Sequence, residues 1–166
     1  MKPVLKVSVL IVFAVITAMI SCKDETTTPV APDTRTKPQL MIASPWKWTA
    51  STCDVEVDVD GKDGASKDLY GQYPACFKDD LYTFKADSTT TEASNVKCTN
   101  EAASYKNTWI LTNGEKNLQW KGKDFKTKQY LARDYTILEL TGDKLVLKYS
   151  ETAGSSVYVI TNTYNH

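Results

Sequence analysis

Residues 46–60 read WKWTASTCDVEVDVD, a stretch in which apolar and polar side chains alternate. Trp46 and Trp48 share one parity, whereas Cys53 and the three valines that follow it share the other, with acidic residues between them. An alternation with a period of two predicts a half-buried β-strand with one wet, acidic face. The change of parity near residues 51–52 predicts a bulge or a break in that strand.

Further short strands are predicted from here to the C-terminus. Their expected bounds are 81–85, 89–93, 106–111, 117–121, 130–140, 145–149 and 156–164. The segments between them carry Gly, Asn and Asp, which favour hairpin turns because these residues tolerate positive φ angles. The helical signal is weak, with a short turn expected within 69–75. About eight strands joined in sequence favour an all-β, up-and-down antiparallel β-barrel. A β-sandwich is the alternative, because alternation alone does not distinguish closure from stacking.

The N-terminus has the organisation of a lipoprotein signal peptide. Lys2 and Lys6 precede an apolar run over residues 7–20, whose helical length of ~21 Å is short of a ~30 Å bilayer core. The run ends in Met-Ile-Ser before Cys22, which resembles a bacterial lipobox and implies lipidation of Cys22. An ordinary signal peptide that ends near a Cys is the alternative.

The segment after Cys22 predicts where the protein is displayed. Lys23-Asp24-Glu25 resembles the export signal of surface lipoproteins in Bacteroidota-type Gram-negative bacteria, although a solvated charge cluster explains the same residues. We therefore expect the acyl chains on Cys22 to anchor the protein in the outer membrane. The protein should face the cell exterior. The domains expected are a signal peptide at 1–21, a Thr/Pro-rich tether at 22–43 and a β-barrel at 44–166.

Charge and composition exclude several classes of function. The chain has 20 basic and 20 acidic residues, so it lacks the basic surplus that nucleic-acid binding requires. Its single His is His166, at the C-terminus, which speaks against Ser-His and Cys-His catalysis and against His-based metal sites. We expect a protein that is not an enzyme and has no cofactor.

Several segments together resemble one family. Residues 44–49 are similar to the first strand of lipocalin-like domains, where a Trp plugs the barrel base. Residues 75–87 follow the pattern of such domains on Bacteroidota lipoproteins: a Cys, an acidic pair, an aromatic-rich strand and an Asp turn. Cys98 and the Trp strand at 108–111 fit the same pattern. Ser88 departs from it, since Gly is usual in that turn. The resemblance implies fold and location but no particular ligand.

The cysteines allow one disulfide. Cys76 and Cys98 flank a predicted hairpin in an exported, oxidising setting, where closing a 22-residue separation would stabilise the fold by roughly 3 kcal/mol. Three buried free thiols are the alternative. Cys53 shares the parity of the valines beside it, which favours a core thiol over a nucleophile, since no His is available to activate it.

Two acidic motifs are weak candidates for chemistry. The carboxylates at 58–64 are spaced like those of a calcium loop, but Lys67 stands where the bidentate Glu of an EF-hand belongs. A wet strand face that runs into a polar turn explains the same residues, so calcium is disfavoured. Asp79 and Asp80 are adjacent on a strand and would point to opposite faces, which argues against an acid–base pair.

The abundance of aromatic residues favours a barrel filled by its own side chains, so binding is expected at the rim. The loops at 60–71 and 95–104 are the longest insertions, and long loops on rigid scaffolds commonly carry binding residues. The candidate binding residues are Asp60, Asp63, Asp68, Tyr70 and Tyr73. The partner is expected to be a small hydrophobic ligand, a glycan or a protein. An inhibitor-like module that engages an enzyme through its loops is the alternative function.

Overall fold

The structure is a computed structural model that describes residues 33–59, 61, 64–96, 98, 104–123 and 130–166. The predicted signal peptide, Cys22 and residues 23–25 lie outside the described residues. The described helices and strands are α1 (Lys37–Met41), β1 (Trp46–Val57), β2 (Ser66–Asp68), α2 (Leu69–Gln72), α3 (Ala75–Lys78), β3 (Leu81–Phe84), β4 (Thr89–Ala93), β5 (Ser104–Thr112), β6 (Asn117–Lys123), β7 (Tyr130–Leu140), β8 (Lys144–Ala153) and β9 (Ser156–Asn165). None of these described helices has the length and apolarity needed to span a membrane.

The strands form a closed antiparallel barrel. From β3 to β9 each strand pairs with the next in sequence, and β1 pairs with both β3 and β9, which closes the sheet. These eight strands make the barrel wall, and β2 is a short addition to the second half of β1. The predicted up-and-down β-barrel is confirmed, and closure through β1 and β9 excludes the sandwich.

The observed strand bounds agree with the predicted ones to within a few residues. β4 and β7 have the predicted bounds, and the other strands from β3 to β9 differ by a few residues at their ends. The parity change in β1 corresponds to a register shift against β9 between Trp48 and Ala50. Trp48 and Cys53 are an odd number of residues apart, so on a regular strand they would face opposite sides of the sheet. Because of this bulge, both side chains are buried.

One end of the barrel is closed by α1. Thr36 and Gln39 form a capping box at its start, and Met41 is fully buried among the barrel's aromatic side chains. The Met41 carbonyl accepts a hydrogen bond from Nε1 of Trp46 at 2.9 Å, and the His166 ring lies 3.8 Å from the Trp46 ring. The folded part therefore extends to the N-terminal side of residue 44, the expected start of the domain.

The barrel core is built around the ring of Trp120. The rings of Tyr82 and Phe84 lie 5.0 and 5.2 Å from it, and those of Tyr135 and Tyr164 lie 6.2 Å away. All four pairs are tilted or edge-to-face, the arrangements that aromatic quadrupoles favour. The aromatic content noted in the sequence is thus concentrated in the interior.

A disulfide clamps the two segments that flank the β3–β4 hairpin. Cys76 and Cys98 are bonded, with their Cα atoms 5.3 Å apart, which confirms the predicted pair. Asp79 accepts a hydrogen bond from the backbone N–H of Val96 at 2.6 Å, and Asp80 accepts one from the Ser94 hydroxyl. The two adjacent carboxylates therefore hold the segment after β4 against α3.

Candidate ligand-binding site

The acidic residues predicted to bind at the rim have different positions in the fold. Asp68 is the N-cap of α2, and its carboxylate accepts a hydrogen bond from the backbone N–H of Gly71 at 3.0 Å. Asp60 and Asp63 lie outside the described residues. The observed role of Asp68 is therefore a helix cap.

The two tyrosines predicted as rim anchors pack onto the barrel core. Tyr70 and Tyr73 lie edge-on to the Trp48 ring, with centroid distances of 4.8 and 5.3 Å. Tyr73 also meets Phe77 at 5.9 Å. Both tyrosines are half-buried, so much of their apolar area already stabilises the packing of α2 and α3 against β1.

In the candidate calcium loop, the first carboxylate forms a hydrogen bond within its own turn. Asp58 accepts a hydrogen bond from the backbone N–H of Gly61 at 2.7 Å, which stabilises the turn after β1. Within the described ranges, no group of three or more His, Cys, Asp or Glu side chains is placed to hold a metal ion. Cys53 is a buried free thiol that packs against Leu69 and Ile160.

The barrel interior contains polar side chains that sequence reasoning did not select. Thr90 on β4 and Asn107 on β5 are direct cross-strand partners, with exposed fractions of 0% and 4%. The Thr90 hydroxyl and both polar atoms of the Asn107 amide have no hydrogen-bond partner among the described residues. Buried polar atoms are rarely left unpaired, because desolvation without a compensating hydrogen bond costs about 1–3 kcal/mol per group. We call Thr90 and Asn107 the β4–β5 polar pair.

The tryptophan indoles fall into two classes. Those of Trp46 and Trp109 donate to backbone carbonyl oxygens, of Met41 at 2.9 Å and of Lys85 at 3.0 Å. Nε1 of Trp48 and of Trp120 is buried and has no partner in the described part of the chain. Two indole donors are therefore available inside the barrel.

Each member of the β4–β5 polar pair has an aromatic neighbour on the inner face of the barrel. Phe84 is the cross-strand partner of Thr90, and its ring lies 5.5 Å from Trp109 and 5.2 Å from Trp120. Trp109 follows Asn107 on the same face of β5, because side chains two residues apart share a face. The site thus combines apolar rings with neutral donors and acceptors, a composition typical of small-molecule sites.

Arg133 is a partly exposed residue on the inner face of the barrel. This residue is the cross-strand partner of Trp120, so it faces the same side of the sheet, and 24% of its side chain is exposed. It forms an ion pair with Glu151 at 3.6 Å, and its guanidinium lies 5.3 Å from the centre of the Tyr149 ring. Burial raises the pKa of Tyr149, so its phenol stays neutral at physiological pH. Arg133 therefore places a charged, partly exposed group next to Trp120 on the inner face of the barrel.

The similarity to known proteins agrees with this architecture. The family model for the lipocalin-like domain matches residues 43–147, which is more than half of the chain. The chain belongs to the lipocalin-like domain family. The resemblance noted in the sequence is confirmed at that level. No curated protein matches this lipocalin-like chain.

Two solved structures are similar to this lipocalin-like domain. The bovine lipocalin allergen Bos d 2 is 10% identical and aligns over 78% of this chain and 75% of its own, with a TM-score of 0.43. A deswapped triple mutant of bovine odorant binding protein is also 10% identical, over 74% of this chain and 71% of its own, with a TM-score of 0.40.

In this lipocalin-like domain, the sequence pattern indicates the inward position of one member of the polar pair but not of the other. Asn107 has the parity of Trp109 and Leu111, so alternation already indicates that it faces inwards. Thr90 lies in the run Thr-Thr-Thr-Glu at 89–92, where every side chain is polar and no parity stands out. The unpaired state of their polar atoms is a tertiary property and has no sequence signature.

Proposed function

We propose that this lipocalin-like protein is a non-catalytic binding module, lipid-anchored to the outer envelope of a Bacteroidota-type bacterium, that takes a small hydrophobic or amphipathic ligand into its barrel. The observation that carries the proposal is the β4–β5 polar pair, which is buried and unpaired within an aromatic interior. A chain that places such groups beside apolar rings loses stability unless a guest supplies hydrogen bonds. Membership of the lipocalin-like family supports a binding role.

The interior is a better candidate than the rim for two reasons. The rim tyrosines Tyr70 and Tyr73 are already packed on Trp48, and Asp68 caps α2, so these three side chains have structural partners. By contrast, the indoles of Trp48 and Trp120 are buried donors without a partner among the described residues. Groups that lack partners gain the most from a ligand.

The anchor is proposed from the N-terminal sequence. Acylation of Cys22 would fix the chain to a membrane, and residues 22–32 would reach at most about 40 Å before the first described residue. The Lys23-Asp24-Glu25 cluster is the motif that supports display at the cell exterior. A tether of this length would leave the barrel accessible to molecules outside the cell.

The four indole N–H groups provide a direct test of interior binding. We propose a ¹H–¹⁵N NMR titration of the mature chain with N-phenyl-1-naphthylamine, an uncharged aromatic probe. Interior binding shifts the indole signals of Trp48 and Trp120, whereas the backbone-bonded indoles of Trp46 and Trp109 move less and serve as internal controls. Shifts confined to backbone amides near Asp68 and Tyr70, with all indoles unchanged, would instead support binding at the rim.

The lipid anchor requires a separate test, in cells of a Bacteroidota-type bacterium. Cys22→Ala should move the protein from the detergent phase to the aqueous phase on phase partition. Replacing residues 23–25 with alanines is the matched control, because it should keep the acyl anchor but reduce cleavage by protease added to intact cells. Detergent partitioning that survives Cys22→Ala would refute the anchor, and unchanged cleavage of the control would refute the export motif.

A further inference from the structure

We propose that Thr90 and Asn107 form a subsite that selects one uncharged amide-type group on an aromatic or apolar ligand. This inference rests on the proposed function, since it requires a ligand inside the barrel. It goes further by naming the group of the ligand that is recognised. The evidence is the position of the two side chains, their unpaired atoms and the rings around them.

The hydrogen-bonding capacity of the pair is complementary to an amide. The Asn107 side chain has one carbonyl acceptor and one NH₂ donor, both unpaired among the described residues, and the Thr90 hydroxyl both donates and accepts. An amide on the ligand supplies an N–H for the Asn107 carbonyl and a C=O for the Asn107 NH₂. A hydrocarbon supplies neither, so it would leave these atoms unpaired.

The distance between the two side chains suits a single small group. Cross-strand partners have Cβ atoms about 4.5–5.5 Å apart, so one planar group can contact both residues. Phe84 is the cross-strand partner of Thr90, Trp109 shares a face with Asn107, and the Trp120 ring packs on Phe84. These rings would contact the apolar part of the same ligand. The subsite therefore fixes the orientation of the ligand as well as its class.

The surroundings disfavour a charged group at this position. Thr90 and Asn107 are neutral and almost completely buried, and a buried charge without a counter-ion is strongly destabilised. Glu92 lies on the same face of β4 as Thr90 and is 3% exposed, so a ligand carboxylate would lie near a second carboxyl group. Arg133, the cross-strand partner of Trp120, already pairs with Glu151.

The experiment compares three probes of nearly equal shape: benzamide, benzoate and cumene (isopropylbenzene). Affinities are measured by NMR titration of residues 22–166 carrying Cys22→Ala, which removes the need for detergent. The expected result is that benzamide binds at least tenfold more tightly than benzoate or cumene and shifts the side-chain NH₂ signals of Asn107. In Thr90→Val/Asn107→Leu, the preference for benzamide over cumene should be lost or reversed.

Stability provides an independent readout of the same two substitutions. Because they replace unpaired polar atoms with apolar groups of similar size, they should raise Tm by about 3 °C or more in the absence of any probe. Thr108→Val, at an exposed position on the same strand, is the matched control and should change neither the probe preference nor Tm by a comparable amount. If the double variant fails to fold, the isosteric Thr90→Val alone gives the readout, with a reduced preference for benzamide.

The outcomes separate the subsite from the proposed function. Equal binding of cumene and benzamide, with Thr90→Val/Asn107→Leu unaffected, would overturn the subsite while interior binding stands. Tighter binding of benzoate would overturn the choice of a neutral group. Absence of binding by all three probes would overturn both the subsite and the interior function. A large fall in Tm in the double variant would show that the polar pair has a structural role, which also overturns the proposal.

Discussion

Ser88 is held in a backbone conformation that ordinary residues avoid. Its φ is 64°, in the turn between β3 and β4 where the family pattern has Gly. The left-handed region costs a non-glycine residue about 1–2 kcal/mol, part of which is offset because glycine is more flexible when unfolded. We predict that Ser88→Gly raises the free energy of unfolding by about 0.5–1 kcal/mol in urea titrations.

A matched substitution tests that reason. Ser150 is exposed on β8, where the backbone is extended, so Ser150→Gly should lower the free energy of unfolding by roughly the same amount. The backbone hydrogen bonds at Ser88, to Lys85 and from Trp109, do not depend on its side chain. A stability loss in Ser88→Gly would show that the serine side chain, and not the φ angle, decides this turn.

The candidate site shows which residues a sequence reveals. Asn107 could be placed inside the barrel because it alternates with Trp109, whereas Thr90 lies in a polar run without a visible face. Tyr70 and Tyr73 were predicted as rim anchors because they lie at the end of a long loop and just beyond it. Their contacts with Trp48 join segments more than 20 residues apart, and such contacts are not encoded in any local pattern.

Whole helices and strands also divide into those that a local sequence pattern reveals and those that it does not. The strands β4 and β7 were predicted with their observed bounds: β4 begins directly after Asp87 and Ser88, and β7 ends directly before Thr141 and Gly142. The helix α1 and the strand β2 were missed, since five and three residues are too few to show a period. In the structure, α1 begins with the capping box of Thr36 and Gln39 and has Pro38 in its first turn. Short elements of this kind are fixed by what they pack against.

Helix α2 provides a test of the role of Asp68. As an N-cap, Asp68 contributes through its side-chain oxygen, which Asn also has. We predict that Asp68→Ala lowers the free energy of unfolding by about 1 kcal/mol and that Asp68→Asn changes it little, as measured by urea denaturation. A large loss in Asp68→Asn would mean that the negative charge itself, and not only the capping oxygen, stabilises α2.

The clamp around α3 depends on its disulfide. In Cys76→Ser/Cys98→Ser, we predict that the free energy of unfolding falls by about 3 kcal/mol, because the unfolded chain gains conformational entropy. Reducing agent should destabilise the wild-type protein and the control Cys53→Ala, yet have no further effect on the double variant. If reduction leaves the wild-type protein unchanged, the hydrogen bonds of Asp79 and Asp80 suffice to hold this region.

At the scale of the whole molecule, buried tyrosines make stability sensitive to alkaline pH. Burial raises the pKa of Tyr82, Tyr149 and Tyr164 above the ordinary value of 10.0. Above pH 10 the unfolded chain loses these phenol protons while the folded protein keeps them, so the unfolded state is favoured. We predict constant stability from these groups below pH 10 and a fall of about 1.4 kcal/mol per pH unit for each tyrosine above it.

The measurement is urea denaturation between pH 8 and 11.5, with tyrosinate absorbance recorded in parallel. Tyr82→Phe is the control, because it removes one buried phenol and should make the alkaline slope less steep by one proton. An unchanged slope in Tyr82→Phe would contradict the account. So would tyrosinate formation by Tyr82 without unfolding, since it would mean that solvent reaches the core.

The central claim, that the barrel interior holds a ligand through Thr90 and Asn107, is tested most directly by a crystal structure of the mature protein grown with benzamide. The account predicts density for the probe inside the barrel, with its amide within hydrogen-bond distance of the Asn107 side chain and the Thr90 hydroxyl. It also predicts the probe's ring against Phe84, Trp109 or Trp120. Density for benzamide only at the rim loops, with the interior closed by the protein's own side chains, would contradict it.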